Sequence, residues 1–400
     1  MRAILALGLA LPLICLADWP EFRGPTGQGT VGEQPAPIRW NETENITWKT
    51  PIPGTGWSSP VIQDGVVWLT TATEGGRSLR VLRLDAASGE LTLNVEIFRS
   101  ERPPVKHEKN SYASPTPILG DDRVYVHFGA KGTAALDLDG NILWRNTEHR
   151  YEDVHGSGGS PVLWRNLLIF NCDGSDVQYV VALEASTGKT VWRTSRNAWR
   201  FSFSTPLVIP RGESGQQVVS TGPDMAASYD PATGTELWRI KFEGFSVVPR
   251  PVYGNGMVYL TTGFYGPLLL AIRPDGEGDV TATHIAWQVN RGVPLISSPL
   301  LDGERIYIVS DNGIASCINA LDGRELWRQR LPGTYAASPV LADGRVYFLN
   351  ETGETTIVQS ADQYVEAASN RVNGNTLASL AFADGAMFLR SDTALYRIEN

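Results

Sequence analysis

Cysteine is scarce in this sequence: Cys15, Cys172 and Cys317 are the 3 copies in 400 residues, and none lies in a CxxC, CxxCH or adjacent Cys-Cys arrangement. That spacing excludes c-type haem attachment, thioredoxin-type redox chemistry and the common short-range zinc patterns. Basic runs are missing too, with Lys and Arg scattered and a formal net charge of -9. No broad positive field is offered to a polyphosphate, which argues against nucleic acid as a partner. The one long apolar run is Ala3 to Leu16, and it is shorter than the roughly 20 residues that cross a bilayer. Followed by Ala17 and Asp18, it reads as a signal peptide over residues 1–17, cleaved after Ala17. Cys15 raises a lipid anchor, but Ile14 stands where lipidation signals want a small residue. The expectation is a periplasmic or secreted, monomeric protein with no transmembrane segment.

Abundance begins with the turn formers, 40 Gly and 25 Pro, more than a helical fold needs. They belong to a repeat. A small residue, a proline and an apolar strand recur at Ser59-Pro60, Ser114-Pro115, Ser160-Pro161, Thr205-Pro206, Arg250-Pro251, Ser298-Pro299 and Ser338-Pro339, with a degenerate copy at Ser379-Leu380. The intervals are 55, 46, 45, 45, 48, 40 and 41 residues, the period of a four-stranded propeller blade. Several copies close on a glycine followed four residues later by tryptophan, as in Gly140 to Trp144, Gly188 to Trp192, Gly234 to Trp238 and Gly323 to Trp327. Glycine accepts the turn geometry and tryptophan offers a large face to a neighbouring blade, so these tryptophans belong to the core.

One such sheet cannot bury both its faces alone, so copies must stack until a ring closes. The last unit, Leu377 to Ile398, holds three strands, while Asn45 to Thr50 is an orphan strand with its own Trp48. The fold predicted is therefore all-β: an eight-bladed β-propeller of four-stranded antiparallel blades, closed by that N-terminal strand completing the last blade. Weak patterning of the last two units leaves seven blades as the competing count. The predicted organisation is a signal peptide (1–17), a lead-in arm (18–44) and a single propeller (45–400).

The Ser-Pro strand starts and Thr-Gly-x-x-x-Trp closers resemble the PQQ-like repeat propellers, which include quinoprotein alcohol dehydrogenases and BamB outer-membrane assembly factors. The segment Trp19-Pro20-Glu21-Phe22-Arg23-Gly24-Pro25 looks like the lead-in of small exported members. The resemblance implies a fold rather than a reaction. In quinoprotein members it implies an adjacent Cys-Cys pair against the quinone, calcium held by acidic and amide side chains, and a catalytic Asp. The Cys-Cys pair is absent here and the calcium set cannot be placed. The reading is thus a non-catalytic module with no assigned cofactor, binding a protein, peptide, glycan or small molecule. The alternatives are a dehydrogenase using PQQ with calcium and a BamB-like envelope scaffold.

Each blade's inner strand starts near the central channel, so the connections before the Ser-Pro copies cross one face of the disc. They supply the candidate ligand-binding residues Trp57, His107, Asn110, Tyr112, His155, Phe203 and Arg250. The competing role for the loop polar groups is satisfying backbone around a water-filled funnel. Arg250 either binds an anion or forms an internal ion pair. His107 and His155 lack the short-range spacing of metal ligands. Asp173 and Asp176 imitate a calcium loop without its third ligand and terminal Glu, so they are assigned to a turn. Cys172 and Cys317 fall three blades apart and are expected unpaired and buried.

Overall fold

The computed structural model describes residues 18–32 and 34–400; the predicted signal peptide lies outside them. Eight sheets, antiparallel apart from one added strand in the fourth, follow one another along the chain, and in the first seven the innermost strand comes first in sequence. The third is typical: Val162–Trp164, Leu167–Asp173, Gln178–Glu184 and Thr190–Ser195 pair in sequence order. The eighth sheet consists of Ala381–Ala383, Ala386–Arg390 and Ala394–Ile398, completed from the front of the chain by Ile46–Pro51. Lys49 lies opposite Tyr396 and Thr50 opposite Leu395. The ring is an eight-bladed β-propeller, and no helix among the described residues is long and apolar enough to cross a membrane.

Hydrophobic burial explains why the blades stack. Apolar clusters form between blades: Trp68, Leu79 and Val81 of the first blade pack with Val124, Val126 and Leu136 of the second. Val162 and Ile169 of the third pack with Val218 and Tyr229 of the fourth. A lone blade would leave these faces wet, at about 25 cal/mol per Å² of apolar surface.

The tryptophans link the blades in a repeated way. Trp144 donates its Nε1 proton to the Ala185 carbonyl of the next blade (3.0 Å), and Trp48, Trp192, Trp287 and Trp327 do the same with Ala86, Pro231, Ala320 and Ala361. The glycine of the receiving turn, such as Gly188 at φ 72°, lies directly under the indole, where a Cβ would press into the ring. Trp238 departs from this: it is fully buried and donates to Gln217 Oε1 at 2.9 Å. Its strand gains a parallel neighbour instead, Gly278–Asp279.

Two local assignments are corrected. The second blade's inner strand is Ile118–Leu119, so its repeat copy is Thr116-Pro117; Ser114 instead bonds Asn110 and Ser111 inside the preceding loop. Asp173 ends a strand rather than occupying a turn, and pairs with Arg196 at 2.8 Å with both side chains fully buried. Burial pushes Asp173 up to about 6, opposed by the Arg196 charge. Cys172 and Cys317 are both free and buried.

The arm before Ile46 runs across the inner strands of the ring. Trp19 exchanges backbone bonds with Ile62, Pro20 accepts from Leu119, Gln28 Oε1 accepts from Tyr253, and Gly29 and Val31 pair with Leu341. Inner-strand edges of four blades are thereby covered by one segment. The chain then leaves along the seventh and eighth blades, where Asn370 bonds Ile38 and Trp40.

Candidate functional site

Beside the arm the channel widens into a cup. It has a volume of about 560 Å³, and Phe22 of the arm lines it together with residues from loops all round the ring. Its upper wall is aromatic on one side. His107 and His155 meet edge to face at 5.6 Å, and the row continues through Phe203, Phe245 and Phe264, backed by Phe201 and Tyr265 outside the lining, with centroids 5.0–6.2 Å apart. Short backbone bonds fix this row: Phe203 donates to Val247 O, Ser246 to Phe201 O, and Phe264 to Phe245 O. Leu295, Ile296, Ala336 and Leu377 supply apolar wall opposite.

Below the loops lies a band of hydroxyls. Ser59, Thr116, Ser160, Thr205, Ser298, Ser338 and Ser379, the residues that begin the inner strands, all line the cup. Each blade hands its neighbour a bond: Ser59 N donates to Thr116 Oγ1 (3.0 Å), Thr116 N to Ser160 Oγ (2.9 Å) and Ser160 N to Thr205 Oγ1 (2.9 Å). The sequence continues from Arg250 N to Ser298 Oγ, Ser298 N to Ser338 Oγ and Ser338 N to Ser379 Oγ, at 2.9–3.0 Å. The hydroxyl that opens each of these copies thus satisfies a buried backbone donor of the adjacent blade.

The sequence-derived candidates divide. Trp57, His107, Asn110, His155 and Phe203 line the cup. Asn110 is also committed to the loop, donating to His155 O and Ser157 O and accepting from Ser111 N and Ser114 Oγ. Tyr112 lies elsewhere: it lines a separate cavity of about 300 Å³ with Asp153, Lys131 and Arg150. Arg250 is buried and turns to the arm, with Nη2 2.9 Å from Glu21 Oε2, Nη1 donating to Phe22 O and Nε to Pro206 O. The missing small residue at this copy makes room for a guanidinium that fastens the arm.

The electrostatics follow from burial. Loss of hydration, aided by the neighbouring His107, lowers His155 and favours neutral imidazole. Burial raises the Asp311 carboxyl, although it accepts Leu295 N at 3.0 Å. Asp311 is the one carboxylate in the cup lining, which has no cysteine. Among the described residues no group of three His, Cys, Asp or Glu is placed to hold a metal ion. The cup lining does not supply the thiol platform implied for a quinoprotein and offers a single carboxylate.

Sequence reading missed Phe22, Phe264 and Asp311. Phe264 and Asp311 sit between the second and third strands of their blades, Met257–Thr261 to Leu269–Ile272 and Arg305–Val309 to Ile314–Asn319. Those connections return to the same face as the loops before the inner strands.

The family model described as outer membrane protein assembly factor BamB matches residues 30–177, 176–282 and 277–383. The chain is 26% identical over 215 residues to BamB of Yersinia pestis, covering 48% of this chain and 52% of that protein. It is 28% identical over 141 residues to methanol dehydrogenase [cytochrome c] subunit 1 of Methylobacterium organophilum, covering 31% and 22%. The aligned regions thus span about half or less of these two relatives. A europium-containing methanol dehydrogenase structure superposes with a TM-score of 0.69 at 10% identity, over 94% of this chain and 90% of that one. At that identity the match shows the fold alone. With its repeats matched across most of its length, the chain belongs to the PQQ-like, BamB-type propeller family.

Proposed function

We propose that this chain is an exported, non-catalytic propeller that holds a small ligand in the cup of its channel. The observation that carries the reading is the cavity itself: about 560 Å³, aromatic on one wall, with a band of hydroxyls beneath. Ligand sites have this composition, mostly apolar with a few convergent polar groups. The apolar run from Ala3 to Leu16 supports export.

The test is a thermal-unfolding screen of the full chain against short peptides, sugars and small organic acids. A ligand of the cup raises the midpoint of the native protein and fails to do so for the Phe203→Ala/Phe245→Ala variant. If no compound class shifts the midpoint, or if the shift survives that substitution, the cup is not the binding site. Similarity to BamB favours a second reading, an envelope scaffold. It is distinguished by a partner protein whose binding is unaffected by filling the cup.

A further inference from the structure

We propose that the hydroxyl band is an oxyanion subsite, so that the cup takes a small organic anion with its apolar body against Phe203, Phe245 and Phe264. This rests on the cup being a binding site.

Six of the hydroxyl oxygens, from Thr116, Ser160, Thr205, Ser298, Ser338 and Ser379, each accept a backbone N–H from the preceding blade. None of the six donates a hydrogen bond among the described residues, so their protons remain for whatever enters the cup. With Ser59 added, the band converges as many as seven O–H donors on one axis. Such an array is poorly matched to a cation and well matched to a group carrying several lone pairs.

Charge around the band has the same sign. Arg23 is fully buried; its Nη2 donates to Gln28 O and to Pro299 O, the residue after Ser298, while Nε and Nη1 have no hydrogen-bond partner. Arg390 is fully buried as well; its Nη1 donates to the Ser58 carbonyl and hydroxyl, next to Ser59, and its Nε has no partner. Burial lowers both guanidinium pKa values to about 9, helped at Arg23 by the Arg250 charge, with no carboxylate offsetting it. Arg250 is the arginine there that has a carboxylate, Glu21. Neither guanidinium lines the cup, but each is held one residue from the band, at Pro299 and at Ser58, without a carboxylate partner, and an oxyanion on the band brings negative charge towards both.

The other titratable groups in the cup stand higher. Asp311 is occupied by the Leu295 backbone N–H, Lys109 is paired with Glu351 at 2.8 Å, and the His155 imidazole is held towards its neutral form. The aromatic row gives the rest of a ligand its apolar contact.

The experiment compares 4-bromobenzoate, 4-bromophenyl phosphate and the neutral 4-bromobenzamide by calorimetry on the full chain, with crystals of the complex locating bromine by its anomalous signal. At least one acid is expected to bind tenfold or more tighter than the amide, its bromine between Phe203 and Phe245 and its oxyanion on the band. Preference between the acids identifies carboxylate or phosphate. Ser59 Oγ accepts no backbone N–H, so Ser59→Ala should keep the wild-type unfolding midpoint and weaken the acid about tenfold while leaving the amide unchanged. Equal affinity for acid and amide overturns the oxyanion subsite and leaves the cup standing. If all three fail while another compound shifts the midpoint through the cup, the same conclusion follows. If nothing binds in the cup, both readings fall.

Discussion

The indole of Trp144 rests on Gly188 of the following blade and donates its Nε1 proton to the Ala185 carbonyl at 3.0 Å. One relationship thus joins the closing strand of one blade to the turn of the next, and it recurs around the ring. Gly188 needs to be glycine twice over, for its φ of 72° and for the room it leaves the ring. Gly344 has a similar φ of 68° with nothing within 4 Å of its would-be Cβ. Gly344→Ala should cost about 1 kcal/mol, the backbone penalty alone, and Gly188→Ala about 3 kcal/mol with the packing clash added. Urea unfolding of the two variants measures the difference; equal costs would mean that the indole contact contributes nothing.

Ring closure by Ile46–Pro51 predicts a defect of a different kind. Without that strand, Ala394–Ile398 becomes an open edge, and exposed edges pair with other chains. A chain beginning at Ile52 should elute as oligomers or precipitate, whereas the chain starting at Asp18 should elute as a monomer. Size-exclusion chromatography with light scattering decides.

The arm depends on charge burial. Replacing Glu21 by Gln leaves Arg23 and Arg250 facing one another in a dry site, and breaking a buried pair in this way costs about 3 kcal/mol. The Glu21→Gln/Arg250→Met double variant should cost less than the two single changes combined. A strictly additive cycle in denaturant unfolding would show that the pair is not coupled.

Two buried groups give stability opposite dependences on pH. His127 donates to or accepts from Thr133 Oγ1 at 2.8 Å, and burial lowers it to about 3. Its contribution is therefore present above about pH 6.5 and is lost as pH falls towards 3, about 3 kcal/mol between pH 7 and 4. Burial raises Asp153 to about 7, so its contribution is present below about pH 4 and is lost as pH rises through 7. Asp153→Asn should raise the unfolding midpoint at pH 8, by about 1–2 kcal/mol of stability, with no gain at pH 4. His127→Gln should flatten the acid limb. Thermal scans from pH 4 to 8 check both signs.

The ring was legible from the sequence because its causes are local. A small residue before proline starts an inner strand, and glycine four residues before tryptophan ends a blade, so the period and the orphan strand around Trp48 could be counted. Register failed at Ser114-Pro115-Thr116-Pro117, where two copies of the signal overlap and local hydrogen bonding draws Ser114 into the loop. The site was legible only in part. Loops before the inner strands pointed to Trp57, His155 and Phe203, but Phe264 and Asp311 come from a second set of connections reaching the same face. The fate of Arg250 depended on Glu21, 229 positions earlier in the chain, a pairing that no spacing rule reveals. The hydroxyls were read as strand starts, and their second role emerged only once adjacent blades were side by side.

The most direct test of the cup is fluorine NMR on protein labelled with 4-fluorophenylalanine, with Phe203, Phe245, Phe128 and Phe388 assigned by single Leu substitutions. Phe128 and Phe388 are buried between blades, away from the cup lining. A compound that raises the unfolding midpoint should move the Phe203 and Phe245 resonances and leave those of Phe128 and Phe388 in place. Shifts that spare Phe203 and Phe245 for every such compound would contradict the account.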